Sequence, residues 1–190
     1  MTDTGLKNFL GYLLRNKNTV VSLLDHFKPD DMERGILAIP ENIVNRDIKM
    51  LLMDRMSPYL NDYRFMFHQG CIFLDLDLNG KQLGRLKAKY MLTITQFDFH
   101  QEGHQIRFTY QEDVRSEGNF MQNMAVKAAG LKGSYLQTAA EMARLDFIDV
   151  DKDSFVVNID RLKAAKKIPS SLSINYISSE DGILKLKFHI

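Results

Sequence analysis

Acidic residues with the spacing of a calcium-binding loop occur in the segment 149–160. Asp149, Asp151 and Asp153 occupy the first, third and fifth places of such a loop. Asp160 falls at the twelfth place, where the loop needs a bidentate glutamate, and Ser154 stands at the sixth place, where it needs glycine. The flanking segments alternate like strands, whereas a calcium loop lies between helices. We therefore predict an aspartate-rich hairpin turn that binds no calcium, and no metal site.

Two other pairs have residue types suited to catalysis. Asp75 and Asp77 lie on one face of a predicted strand, about 7 Å apart by strand rise, and paired carboxylates can act as general acid and base. Their alternation with large aliphatic residues favours a solvated outer face instead. His68 and Cys71 are three residues apart, which places them on opposite faces of a strand and disfavours a Cys–His nucleophile.

The remaining candidates for chemistry are equally weak. His100 and His104 flank a predicted turn, and no acidic or thiol partner stands at ligand spacing, so we expect exposed turn histidines. Gly130-Leu131-Lys132-Gly133-Ser134 lacks the spacing of a phosphate-binding loop and does not follow a buried strand. The sequence therefore predicts a protein that is not an enzyme and uses no cofactor.

Composition limits the class of protein further. The chain has 190 residues with 45% hydrophobic and 26% charged residues, which suits a single globular domain. The formal charge of +1 argues against nucleic acid as a partner. One cysteine, Cys71, excludes an internal disulfide framework. With no apolar run long enough to span a bilayer and charges that interrupt the N-terminal apolar stripe, we expect a cytoplasmic protein with at most peripheral membrane contact.

The elements that must position any site begin with helices. Residues 1–30 form a predicted amphipathic helical segment, whose stripe runs from Leu6 to Phe27 and is expected to be detachable. A short strand over 35–40 and an amphipathic helix over 41–56 follow. The pattern then changes to a period of two between Tyr63 and Tyr110, which predicts an antiparallel meander. Asn79-Gly80 predicts a hairpin turn, and a parity change after Ile94 predicts a bulge near Gln96.

A second helical region spans 120–145. Gly130 and Gly133 weaken its middle by about 1 kcal/mol each, and Ser134 with Gln137 matches a capping box, so we predict a broken helix. Strand-like segments over 147–162 and a C-terminal hairpin over 172–190 complete the chain.

This order of elements resembles the tubular lipid-binding (TULIP) superfamily, small bacterial-type members in particular. The resemblance covers residues 35–190 and depends on element order and pattern, including Ile39-Pro40-Glu41-Asn42-Ile43 and Phe155-Val156-Val157-Asn158-Ile159. It implies an α+β domain in which a curved antiparallel meander packs on amphipathic helices and encloses an apolar cavity for acyl chains.

We therefore predict non-catalytic binding of a lipid or other apolar ligand in a groove between sheet and helix. Large residues on the apolar rows are the expected ligand contacts: Leu74, Leu76, Phe97, Phe99, Phe108, Tyr110, Met121 and Met124. The same residues suit a well-filled core. The alternative is therefore a protein-interaction or assembly module, such as a homo-oligomer, that uses the N-terminal helices or an exposed sheet edge.

Overall fold

The computed structural model describes residues 34–49, 53, 59–80, 84–100, 102–130, 133–161 and 172–189. The predicted helical segment 1–30, most of the second half of the helix predicted over 41–56, and the stretch 162–171 lie outside these residues. The strands are β1 Ile36–Pro40, β2 Leu60–His68, β3 Cys71–Asn79, β4 Arg85–His100, β5 Gly103–Ser116, β6 Ile148–Val150, β7 Ser154–Asn158, β8 Ser173–Glu180 and β9 Ile183–His189. The helices are a π-helix Ile43–Ile48, α1 Phe120–Gly130, α2 Tyr135–Ala143 and a 3-10 helix Ile159–Arg161.

The fold is α+β, and its main element is a six-stranded antiparallel sheet of order β2-β3-β4-β5-β7-β6. The four strands β2 to β5 form the predicted meander. Asn79 pairs with Arg85, and the N–H of Gly80 donates to the carbonyl of Gly84 at 2.8 Å. The hairpin predicted at Asn79-Gly80 is therefore present, since β3 and β4 pair as far as Asn79 and Arg85 and the contact between Gly80 and Gly84 follows.

One face of this sheet carries the core. The pairing of β4 with β5 shifts between Ile94 and Gln96, which confirms the predicted bulge. Because the bulge adds one residue to β4, Phe97 and Phe99 lie on the same face as the earlier row of Leu92 and Ile94. The inward row of β4 therefore continues past the bulge as far as Phe99, which is buried.

The second helical region is broken, as predicted, into α1 and α2. The side chain of Ser134 accepts a hydrogen bond from the N–H of Gln137 at 3.2 Å and so caps α2. The side chain of Gln137 does not return to the cap but donates to Glu141 at 3.2 Å. The capping box is thus half formed.

The C-terminal hairpin does not join the meander. It pairs with β1 in a separate three-stranded sheet of order β1-β9-β8. Ser179, only 2% exposed, fixes this sheet to the β2–β3 turn, since its hydroxyl donates to the carbonyl of Cys71 and its carbonyl accepts from the N–H of Gly70, both at 3.0 Å. Within the described part of the chain, no helix combines the length and the apolar character needed to cross a bilayer.

Candidate functional site

An apolar pocket lies between the inner face of the meander and helices α1 and α2. Leu76, Ala88 and Val114 form a row across β3, β4 and β5 and make its floor. Alanines line the pocket on both sides, with Ala88 on the sheet and Ala139 and Ala140 on α2. Large side chains on both surfaces would close the gap, so this pairing leaves a volume of about 200 Å³. The other lining residues are Tyr59, Leu78, Asn79, Gly80, Leu86, Tyr90, Val126, Tyr135, Leu136, Thr138 and Leu145.

A carboxylate fixes the helical wall of this pocket to the sheet. Glu112 lies on the inner face of β5, opposite Tyr90. Its two oxygens accept hydrogen bonds from the N–H groups of Tyr135 and Leu136, at 2.8 and 3.1 Å. These are among the first N–H groups of α2, which have no partner within the helix, and the positive end of the helix dipole favours an anion there.

Tyrosine hydroxyls complete the polar layer beneath α2. Tyr110 donates to the hydroxyl of Ser134, and Tyr90 is hydrogen-bonded to Glu112. Burial raises the pKa of Tyr90 far above its ordinary value, and the charge of Glu112 adds to the shift. Both tyrosines therefore keep their protons and act as hydrogen-bond donors that hold the start of α2 in place.

A second cavity, the polar cleft, opens at the other end of α2 beside β6. Its volume is about 420 Å³. It shares the side chains of Ala140 and Leu145 with the apolar pocket. Its other lining residues are Gln137, Glu141, Arg144, Asp146, Ile148, Asp149 and Val150.

Of the eight predicted ligand contacts, Leu76 alone lines the apolar pocket. Leu74 and Phe108 pack against the hydrophobic core, and Tyr110 is part of it at 8% exposure. Phe108 stacks on Phe155, with ring centroids 4.9 Å apart and an angle of 16° between the rings. These residues thus have protein side chains as neighbours.

Phe97 and Phe99 lie beyond the bulge, at the far end of β4 from the pocket. Phe97 stacks between Phe99 and Tyr176 of β8, with centroid distances of 6.5 and 6.4 Å. These rings therefore pack the three-stranded sheet against the meander.

Met121 and Met124 do not face the sheet. Their exposures are 73% and 50%, and neither of these two predicted contacts lines the apolar pocket. The period of 3.6 residues shows which side chains share a face of a short helix, but it does not show which face is buried. In α1 the buried face is the one with Val126, which is 2% exposed.

The aspartate-rich segment forms the predicted hairpin, with strands β6 and β7 on either side. Two of its carboxylates are engaged by side chains elsewhere in the fold. Asp149 accepts from the Nη1 of Arg161 at 2.9 Å, and Asp160 is 2.6 Å from the Nδ1 of His104. Among the described residues, no group of three or more histidine, cysteine, aspartate or glutamate side chains is arranged to hold a metal ion.

The interpretation of His104 as an exposed turn residue without a partner needs correction. Its side chain is 13% exposed, and both its ring and its backbone N–H bind Asp160. These hydrogen bonds lower the pKa of Asp160. The partner lies 56 residues along the chain, beyond the reach of a spacing argument.

Asp77 also departs from the expected solvated face. Its carboxylate is buried beneath Arg85, Lys87 and Asn61. The guanidinium of Arg85 makes the largest contribution in holding the pKa of Asp77 well below its ordinary value. Asp77 is therefore a charged structural residue, which leaves it without the free carboxyl that acid–base catalysis requires.

Sequence reasoning missed most of the pocket. Ala88, Ala139 and Ala140 create its space, but alanine in an apolar row is ordinary core composition. Glu112 could have been found from the sequence, since its carboxylate interrupts the inward row of Phe108, Tyr110 and Val114 on β5.

Compared with protein-family models, with curated proteins and with solved structures, the chain gives no significant match.

Proposed function

We propose that this protein binds a lipid or other apolar ligand without catalysis, as the resemblance to the TULIP superfamily implies. The observation that carries the proposal is the apolar pocket between the meander and α2. Its walls are almost entirely aliphatic and aromatic, and it is partly enclosed. Ligand sites of this kind combine an apolar cavity with few polar groups.

The size of the pocket decides what it can hold. An engineered apolar cavity of about 150 Å³ binds benzene, so the 200 Å³ here accommodates an apolar group of at least that size. Sites for whole drug-sized ligands reach about 300–1,000 Å³. The pocket therefore suits one end of an acyl chain better than an entire lipid.

A single half-buried cysteine supports the cytoplasm as the proposed location.

The test fills the pocket and measures ligand uptake. Ala139→Phe adds a ring on the helical wall, and it should abolish enhancement of fluorescence from an uncharged polyene probe. The matched control is Ala128→Phe, which adds the same ring at an exposed position of α1 and should leave uptake unchanged. Circular dichroism of both variants checks that the fold is retained. If the wild type takes up no apolar probe, the proposal is wrong.

An assembly module is the second candidate, and one observation favours it. Helix α1 leaves large apolar side chains exposed, since Phe120, Met121 and Met124 have exposures of 75%, 73% and 50%. Patches of this kind mark interaction sites. If α1 pairs with a second copy of the chain, sedimentation should detect a discrete homo-oligomer that Met121→Lys converts to monomer. A monomeric wild type would eliminate this candidate.

A further inference from the structure

Two side chains border both the apolar pocket and the polar cleft. Ala140 and Leu145 line both cavities. Alanine is the smallest residue that favours a helix, so Ala140 takes up little space at this border without weakening α2. Cavities with apolar and charged linings that share a border match the two ends of an amphiphile. Together their volumes reach the range of ligand sites, about 300–1,000 Å³.

The charged side chains of the cleft indicate which charges a complementary ligand would carry. Asp149 is already neutralised by Arg161. Across the described residues, Arg144 and Asp146 make no side-chain ion pair, and Glu141 accepts only from the neutral amide of Gln137. The cleft thus presents one unpaired cation and two unpaired carboxylates on its rim. A headgroup that carries both an anion and a cation would complement both signs.

We infer that the protein binds a single-chain amphiphile with a zwitterionic headgroup, its chain in the apolar pocket and its headgroup in the polar cleft. This inference rests on the proposed function, because it needs the apolar pocket to accept the chain. Arg144 binds the anionic part of the headgroup, such as a phosphate, with which a guanidinium forms paired hydrogen bonds. Glu141 and Asp146 bind the ammonium part.

The backbone of Arg144 is an independent sign of function. Its φ is 52° and its ψ is 48°, and it is the one non-glycine residue with positive φ in the part of the chain that the structure describes. It ends α2, with its N–H directed to the carbonyls of Ala140 and Glu141. Glycine is the usual residue at such a helix end, and residues in this conformation cluster at ligand sites. The chain thus has arginine at a position where the backbone alone favours glycine.

The backbone conformation makes Arg144→Gly a sharp test, because glycine adopts positive φ without strain and the variant should fold at least as well as wild type. Titration calorimetry would compare lysophosphatidylethanolamine with the uncharged monoacylglycerol of the same chain length, both below micelle-forming concentrations. Wild type should bind the zwitterion about tenfold more tightly, the size expected for one charge-assisted contact. Arg144→Gly should reduce that preference to near unity and leave monoacylglycerol affinity unchanged.

Two controls separate charge from position. Arg144→Lys retains the cation and should keep most of the preference. Arg64→Gln removes an exposed arginine from β2, at the opposite edge of the sheet from β6, and should change nothing. Equal affinity of wild type for both amphiphiles, or a preference that survives Arg144→Gly, would overturn this inference while the apolar pocket stands. Failure of wild type to bind either amphiphile would overturn the proposed function as well.

Discussion

The side-chain amide of Asn45 forms two hydrogen bonds with the backbone of Phe65. Its Nδ2 donates to the carbonyl of Phe65, and its Oδ1 accepts from the N–H of the same residue, both at 2.7 Å. Phe65 lies in β2, which is an edge strand among the described residues, so that within them no strand pairs with its outward backbone groups. The amide thus takes the place that a neighbouring strand would occupy.

Two further side chains of the same helical segment extend this cover. Glu41 accepts from the N–H of Phe67, and Lys49 donates to the carbonyl of Tyr63 at 3.0 Å. Residues four apart on this segment, Glu41, Asn45 and Lys49, thus contact alternate residues of the strand. The expectation that a free sheet edge serves for assembly therefore does not apply to β2.

Loss of this cover should destabilise and aggregate the protein. Asn45→Leu leaves the N–H and the carbonyl of Phe65 without partners, so we expect a loss of about 1–3 kcal/mol in the free energy of unfolding. Urea denaturation measures this loss, and light scattering measures association through the exposed edge. Asn42→Leu is the control, since Asn42 is exposed and, in the part of the chain that the structure describes, its side chain makes no cap hydrogen bond. Equal effects of the two substitutions would contradict this role of Asn45.

Local patterns predicted the meander, the bulge and the helix break because each depends on neighbours in the chain. The apolar alternation changes parity between Ile94 and Phe97, and this change predicts a bulge whichever strand is the partner. Two glycines likewise weaken a helix in any context. The hydrogen bonds of Asn45 to the edge strand could not be predicted, because they depend on residues that are distant in the chain. It joins residues 20 positions apart, and an asparagine in an amphipathic helix ordinarily indicates only a solvated face.

The predicted ligand contacts and the apolar pocket lie on the same face of the sheet, but Leu76 is the one residue they share. Periodicity identified the inner face of the sheet, which includes Leu76, and gave the largest side chains on that face as contacts. A cavity, however, forms where side chains are too small to fill the space, so its position depends on Ala88 of β4 and Ala139 of α2 lining the same space. Which residues come together there is a property of tertiary packing.

The ion pairs of Asp77 should make stability depend on pH. The depressed pKa means that Asp77 contributes stability fully above its ordinary pKa of 3.8, and the contribution is lost as the pH falls below that value. Asp77→Asn should therefore cost about 1–2 kcal/mol at pH 7, since Arg85 and Lys87 are partly exposed and screened. The difference from wild type should shrink in denaturation at pH 3.

The control for this prediction is Asp75→Asn on the same strand. Within the described residues Asp75 pairs in register with Lys89 but makes no ion pair at bonding distance. Its substitution should change stability by less than about 0.5 kcal/mol. A variant of Asp77 that loses as much stability at pH 3 as at pH 7 would show that packing, and not charge, explains its effect.

Removal of the Glu112 carboxylate should loosen α2. Glu112→Ala leaves the N–H groups of Tyr135 and Leu136 without their acceptors and removes the anion at the helix start, so we expect a loss of about 1–3 kcal/mol. Thermal unfolding followed by circular dichroism measures the loss. Glu102→Ala, in an exposed turn, is the control and should have little effect. If both variants unfold at the wild-type temperature, Glu112 does not stabilise the start of α2.

Phe108→Ala tests whether the sheet beyond the pocket is a filled core. Phe108 stacks on Phe155, which is 7% exposed, and lines no part of the apolar pocket. Truncation should therefore open a new hole and cost about 3 kcal/mol or more, whereas a ring at a cavity wall already lacks contacts on one side and costs less. Phe120→Ala, at a position that is 75% exposed, should change stability by less than about 0.5 kcal/mol. Urea denaturation compares the two, and a loss below about 1 kcal/mol for Phe108→Ala would mean that this ring borders a cavity other than the apolar pocket and the polar cleft.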